Sequence, residues 1–412
     1  MDVVVVGAGL GGLAAAVGLH RAGHVVTVLE RGAELRETGA GIGLMPNGVR
    51  ALDALGFGDP VRERASPLSV GGGLRDRHGR PLLTVDQTAI EARAGAPLVV
   101  VDRTWLHRLL AAALPAGVVR TGTTADAVHD DGRRIRLATR STRGDRVAQR
   151  VGGPRTEHHT SDDPTGAPFV DVTADMVVVA DGAGSRLRTA LFPGHPGLEG
   201  SGEYAARALV PAGLDVEPVP GELLDHRSGE RFGCMLLADG RTYWYATWAA
   251  TRAVPSEPVA RLDALRARYA DWHPTVPALL AATDPAAVHV AETVRLITPL
   301  RTLAVGRVAL LGDAAHGMTP DLGQGGCQAF EDAVALGSVL AGTDDVRPAL
   351  ERYDALRRPR TTALQRQARQ MNRLLRLHGP AGRLRDAVLR AVPQRLATPA
   401  LARQFAFDAA ES

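Results

Sequence analysis

Lysine is missing altogether: all 48 basic residues among the 412 are arginine. Arginine stays protonated at any working pH, so a net charge of only +3 coexists with a pI near 9.2. Loss of one cation type beside abundant Ala, Gly and Pro reads as coding bias. It does not point to a nucleic-acid surface. Residues 347–412 do hold 14 Arg against 5 Asp and Glu, but interleaved with Leu and Ala at helical spacing, which reads as a solvated helix face. Cysteine is scarce. Cys234 and Cys327 lie 93 positions apart with no CxxC pattern, which gives no support to a disulfide scaffold or a zinc site. The expectation is a reduced, cytoplasmic protein. The longest apolar stretch, Val3 to Leu19, is broken by five glycines, whereas a membrane span needs ~20 mostly apolar residues. The chain enters that stretch directly after Met1-Asp2, without the basic start of a secretory signal. Hydrophobic residues at 45% and charged residues at 23% exclude a wholly disordered chain. The length suggests two to three domains at ~150 residues each.

What is present is sharpest at the start. Val3 to Val6 reads as a strand buried on both faces. Gly7-Ala8-Gly9-Leu10-Gly11-Gly12 follows, then an apolar helix to Ala22, Gly23 as its stop, and a second strand from His24 to Leu29. This is GxGxxG inside a βαβ unit, with Glu30 18 positions beyond Gly12. Gly7 permits the tight turn, Gly9 lets the backbone approach a pyrophosphate, and Gly12 lets helix and strand pack closely. The helix N-terminus then faces the pyrophosphate, and Glu30 accepts from the ribose hydroxyls.

Met176 to Ala180 and Val308 to Leu311 have the same apolar texture and end in Asp181-Gly182 and Gly312-Asp313. Three such strand ends can converge on one extended dinucleotide, since ligands bind outside the carboxyl ends of parallel strands. Taken singly, Asp181 or Asp313 would only cap a turn. From about 66 to 101 and from about 200 to 293 the pattern shifts to short alternating runs such as Thr242 to Thr247, which suggest an antiparallel sheet inserted in two pieces. Arg140 to Pro168 is polar and reads as a surface loop on a hairpin. His158-His159 inside it reads as exposed rather than as a metal site. From Val346 onward the pattern is helical.

These residues resemble the single-component FAD-dependent monooxygenases, nearest the salicylate-, 3-hydroxybenzoate- and urate-hydroxylase-like branch. The resemblance rests on the glycine motif with Glu30-Arg31 and on the run from Gly39 through Gly41 to Asn47. It continues through Arg103-Thr104-Trp105-Leu106 and Ala180-Asp181-Gly182-Ala183-Gly184-Ser185. Its most specific piece runs from Gly312-Asp313-Ala314-Ala315-His316 through Pro320-Asp321-Leu322-Gly323-Gln324-Gly325-Gly326 to Glu331-Asp332-Ala333. It implies an α/β fold: a Rossmann-like, glutathione-reductase-like FAD-binding domain with an inserted antiparallel-sheet substrate domain and a C-terminal helical segment. The implied bounds are 1–65, 102–190 and 294–345 for the first, 66–101 and 200–293 for the second, and 346–412 for the third.

The resemblance assigns Gly7, Gly9, Gly12, Glu30, Arg31, Gly41, Arg103, Asp181, Gly182, Asp313, Gly323, Gly325 and Gly326 to FAD. Asp313 would meet the ribityl chain and Arg103 the ribityl-phosphate region. The helix opened by Gly323 to Gly326 would turn its free N–H groups toward the flavin N1–C2=O edge and stabilise negative charge there. NADH or NADPH would bind transiently in a groove, with Arg188 a candidate for its phosphates, because no second GxGxxG exists. The implied activity is NAD(P)H- and O2-dependent hydroxylation or epoxidation of an electron-rich aromatic or polycyclic molecule through a flavin C4a-hydroperoxide. The partners are that small molecule and O2, with neither nucleic acid nor membrane, in a monomer or homodimer.

Gly202 to Arg207 resembles the family strand that ends in a Trp-Arg pair, with Ala206 in the Trp position and so more room. Arg207, Tyr204 and His226 are the candidate catalytic residues, with Tyr243 and Tyr245 also expected at the pocket. None is singled out as a base. His316 reads as a packing and hydrogen-bonding residue, and Cys327 as a small apolar helix residue. A flavin halogenase would need a lysine and a WxWxIP motif, and the chain has neither. The alternative from another class is a redox-gated FAD-binding regulatory protein.

Overall fold

The computed structural model describes residues 1–35, 40–68, 72–141, 169–214, 217, 219 and 221–407. Val3 to Val6 are buried on both faces, as expected of β-branched residues in a parallel sheet covered by helices. Strand Asp2–Val6 runs parallel to Val25–Leu29 on one side and Met176–Val179 on the other, and Val308–Leu310 extends the parallel set. Val119–Arg120 and Ala304–Val305 close the two edges of this six-stranded sheet. Val6 lies opposite Val179, and Val179 opposite Leu310. Gly7, Asp181 and Asp313 therefore leave the sheet at one edge. The convergence expected from the sequence is met.

Helix Leu10–Arg21 covers the sheet and packs on helix Gly325–Leu340. The crossing works because it is lined by small residues. A Cβ on Gly18 would come 3.2 Å from the Ala333 carbonyl, and one on Gly11 would come 2.9 Å from the Ala329 side chain. Close approach of the two helices brings their first turns to the same end of the sheet.

The second large sheet has seven strands in the order His289–Leu296, Leu198–Val210, Thr242–Ala249, Arg231–Leu236, Glu222–Leu224, Gly73–Asp76 and Pro81–Thr84. Both alternating pieces of the sequence feed it. Two details differ from the expected bounds. The strands begin at Leu198 and end at Leu296, and Val99–Asp102 pairs instead with Gly41–Leu44 on one side and Ser66–Pro67 on the other in a small separate sheet. One face of the seven-stranded sheet is a core of Trp244, Trp248 and Phe232 under helices Pro258–Arg268 and Thr275–Ala281. The other face, with Leu209, Met235, Tyr243 and Tyr245, turns toward Gly41–Leu44.

Strands Ile135–Ser141 and Phe169–Ala174 pair as hairpin arms, Arg140 opposite Phe169. The intervening segment 142–168, with His158-His159, lies outside the described residues. The C-terminal part is helical as expected: Val346–Leu375, Gly379–Ala391 and Gln394–Gln404.

Candidate functional site

Gly7 has φ +107, and a Cβ there would strike the Ala180 carbonyl at 2.3 Å. A Cβ on Gly12 would lie 2.0 Å from the Gly7 carbonyl, whereas one on Gly9 would meet nothing within 4 Å. Gly7 and Gly12 thus shape the loop, and Gly9 leaves open space in front of a helix N-terminus that no side chain caps. Such a cradle suits a pyrophosphate. Glu30 sits at the end of the second strand, where its carboxylate accepts from the Ala8 N–H (2.9 Å) and the Gly32 N–H (2.8 Å). It braces the glycine loop, and a carboxylate has further acceptor sites for a ribose. His107 Nε2 lies 2.7 Å from the Ala8 carbonyl, and Arg31 is exposed beside the loop.

At the neighbouring strand ends Asp313 is exposed, within electrostatic range of Arg103 and Arg188. Asp181 accepts from the Arg186 N–H, and burial pushes its carboxyl up. A Cβ on Gly182 would meet open space. Arg188 does not fit its expected role. It is 3% exposed, and its guanidinium donates to the carbonyls of Ala183 (2.6 Å) and Ala314 (3.2 Å). A cation held by two backbone carbonyls braces the strand ends and is not presented to a nicotinamide phosphate.

Helix Gly325–Leu340 also starts without a side-chain cap or an acidic residue in its first turn. Only Asp313 Oδ1, at 3.9 Å, comes near the Cβ position of Gly325. Gly323, at φ +62, closes the preceding Pro320–Leu322 turn. Gly326 packs on Ile42, and Gly41 packs against Tyr243, whose Cγ lies 2.9 Å from the Gly41 Cβ position. Behind this helix end lies a buried polar network. Asn47 donates to Gln324 (2.8 Å) and Glu331 (2.7 Å), and Gln328 donates to both. Arg357 bridges Glu331 and Asp332. His316 is buried with Nε2 2.6 Å from Asp332 Oδ2. Burial opposes the Asp332 charge, but His316 and Arg357 outweigh it and hold the carboxyl at about 2. The structural reading of His316 stands. Burial pushes the Cys327 thiol up to about 12, so it is a packing group against Gly48.

On the sheet face toward Gly41–Leu44, exposed Arg207 hydrogen-bonds Tyr243 and lies within electrostatic range of Arg103. Deeper on the same face Arg231 stands among three carboxylates: Asp321 Oδ1 at 2.9 Å, and Glu203 and Glu222 each at 3.5 Å. Tyr245 donates to Glu222 at 3.0 Å, and Asn372 to Glu203. Burial works against the Arg231 charge, and Glu222, Asp321 and Glu203 more than offset it. Burial pushes Glu203 and Glu222 up, opposed by Arg231. Asp321 Oδ2 is buried with no hydrogen-bond partner among the described residues.

Two candidates do not join this group. Tyr204 is one residue out of phase with Arg207 and Glu203, so it faces the helix-covered side and packs on Trp248 with ring centroids 6.1 Å apart. Ala206 points the same way and is fully buried, so its small size opens no room beside Arg207. His226 lies in the turn after Glu222–Leu224, Nδ1 3.6 Å from Asp386, at the end of strand Arg231–Leu236 away from Tyr243. The sequence reading missed Arg231, Glu203, Glu222 and Asp321. Asp321 stood inside the most specific motif, and period-two alternation would have separated Tyr204 from Arg207.

The chain matches the family described as "FAD binding domain" over residues 1–368. It is 30% identical to a FAD-dependent urate hydroxylase of Mycolicibacterium vanbaalenii over 373 residues, 90% of this chain and 87% of that protein. It is 31% identical to the aurachin C monooxygenase/isomerase of Stigmatella aurantiaca over 364 residues, 87% and 85% of the two. The crystal structure of Klebsiella pneumoniae HpxO complexed with FAD and uric acid superposes with a TM-score of 0.83 at 28% identity, covering 98% of this chain and 96% of that one.

Proposed function

The chain belongs to the FAD-binding family of flavin-dependent monooxygenases, and on that premise we propose that it uses NAD(P)H and O2 to add one oxygen atom to an electron-rich aromatic or polycyclic small molecule. The observation that carries this reading is the shared edge at which the open Gly9 cradle, exposed Asp313 and the uncapped Gly325 helix end meet. Bound FAD would supply the redox chemistry that activates O2, with the nicotinamide as electron donor. In this reading the Gly7–Gly12 loop takes the pyrophosphate, Glu30 the ribose, and Asp313 with Arg103 the ribityl region. The Gly323–Gly326 amides favour negative charge at the flavin's pyrimidine edge.

The substrate would lie between that edge and the sheet face carrying Arg207 and Tyr243. Asp321 is the group we assign to accept the proton of a ring hydroxyl or N–H, because it is a buried carboxylate with one oxygen unpartnered. Arg231 holds it in place. Removing that proton raises the electron density of the ring that receives oxygen. The names of the relatives support a nitrogen- or hydroxyl-bearing ring system as the substrate class.

The test is oxidation of NADH and of NADPH by the FAD-loaded protein, with and without a panel of hydroxylated and nitrogen-containing aromatics. Acceleration by a panel member supports the proposal. Tight FAD with no oxidation under any condition supports a redox-gated binding protein instead.

A further inference from the structure

Helix Gly379–Ala391 is inside out. Its inward face buries Gly382, Leu389 and the ion pair Arg385–Asp386, whose guanidinium also donates to the carbonyls of Leu375 and Leu377. Its outward face shows Leu384, 67% exposed, and Val388, 55% exposed, with Ala387 and Ala391 alongside. Val392 and Leu396, the latter 62% exposed, continue the apolar ridge into helix Gln394–Gln404, and exposed Leu377 precedes it. A surface helix ordinarily turns its apolar stripe inward and its charges to water. Here the arrangement is reversed, with Leu384 and Val388 one turn apart on the outward face and Val392 following at the helix end.

The charge that these two helices carry to the surface is basic. Arg383, Arg390, Arg395 and Arg403 are exposed. The only carboxylate between residues 377 and 407 is Asp386, which is buried against Arg385. An alkyl ridge flanked by arginines, with Asp76 beside Arg390 and Asp86 beside Thr398 as the acids contributed by neighbouring elements, complements a surface that is apolar inside and anionic at its rim. We infer that these two helices form an interfacial face that seats the enzyme on an anionic lipid bilayer, with Leu384, Val388 and Leu396 entering the acyl boundary and the arginines at the headgroups. No helix of the described residues is long and apolar enough to cross a membrane. An interfacial helix needs no such length.

A second copy of the chain fits the face poorly. A two-fold contact would set the arginines of one copy near those of the other. A bilayer accepts a ridge without a matching groove. This inference is independent of the proposed chemistry, since vesicle binding is read without turnover.

The experiment is co-sedimentation of the FAD-loaded full chain with vesicles of phosphatidylcholine alone or mixed with phosphatidylglycerol, at low and high salt. Light scattering of the protein without lipid accompanies it. Binding to the mixed vesicles, weak binding to phosphatidylcholine and loss at high salt are expected. The doubles Leu384→Ser/Val388→Ser and Arg383→Gln/Arg390→Gln should each weaken binding about tenfold or more while retaining FAD. Absence of binding to the anionic vesicles overturns the inference. So does unchanged binding by the Leu384/Val388 double, or a dimer that this double converts to monomer.

Discussion

Arg231 Nη2 lies 2.9 Å from Asp321 Oδ1, and both side chains are almost wholly buried. The pair ties the seven-stranded sheet to the turn that precedes the glycine-opened helix. It fixes a carboxylate at the junction of the two large sheets. Removing either partner therefore has a different consequence. Arg231→Met strands Asp321, Glu203 and Glu222 without their cation and should cost about 3–5 kcal/mol in stability, read as a lowered Tm. Asp321→Asn keeps the shape. It should retain FAD and lose about 10²–10⁴ in kcat if the carboxylate accepts the substrate proton. Unchanged kcat would leave Asp321 only a structural role.

Gly9 and Gly12 belong to one motif but face different surroundings. Gly12→Ala must push against the Gly7 carbonyl, 2.0 Å from its Cβ position, and should destabilise the protein with or without flavin. Gly9→Ala meets nothing of the chain within 4 Å. It should fold normally and bind FAD more weakly, measured as Tm and flavin Kd. Equal stability loss in both would mean that the cradle is filled by protein.

The same reasoning applies at Gly325, where a side chain would meet only Asp313 Oδ1 at 3.9 Å. Gly325→Val should leave the fold intact but hold the flavin off the helix end. A lower flavin reduction potential and slower reduction by NAD(P)H are expected in a spectroelectrochemical titration. A parental potential with normal FAD content would place that helix end elsewhere.

His316 and Arg357 hold Asp332 at about 2, below its ordinary 3.8. A carboxyl depressed in the folded state stabilises above its unfolded pKa and loses that contribution as pH falls through the folded value. Asp332 should thus supply about 2 kcal/mol that disappears between roughly pH 4 and 2. Acid unfolding followed by circular dichroism should show a shallower pH dependence in that window for Asp332→Asn, which is also less stable at neutral pH.

Both thiols are buried, and burial pushes Cys234 up to about 11 and Cys327 up to about 12. Neither should react with a thiol reagent at pH 8 in the folded protein, and both should react in denaturant. Rapid labelling of Cys327 in the native state would contradict its packing role.

The parallel sheet was legible because its signals are local. Four valines, a glycine turn and a two-part repeat of apolar strands ending in Asp or Gly each announce themselves within a few residues. The inserted sheet was legible as texture, but not its facing. Tyr204 and Arg207 are both polar, close in sequence and in one strand, and only counting the period of two puts them on opposite sides. The Arg231 cluster draws on residues 203, 222, 231, 321 and 372, a set assembled by strand order and by packing of the long C-terminal helix. No local pattern reveals such a group. His226 looked like a pocket residue for want of that same information; the turn that carries it points the other way.

The central claim is that this chain transfers one atom of O2 to a small aromatic molecule. Turnover of a panel substrate under oxygen-18 gas, with product analysed by mass spectrometry, tests it most directly. The account predicts one heavy oxygen per product molecule, formed only with both NAD(P)H and FAD-loaded protein. Product with oxygen from water, or consumption of NAD(P)H that yields hydrogen peroxide alone with every substrate, would contradict it.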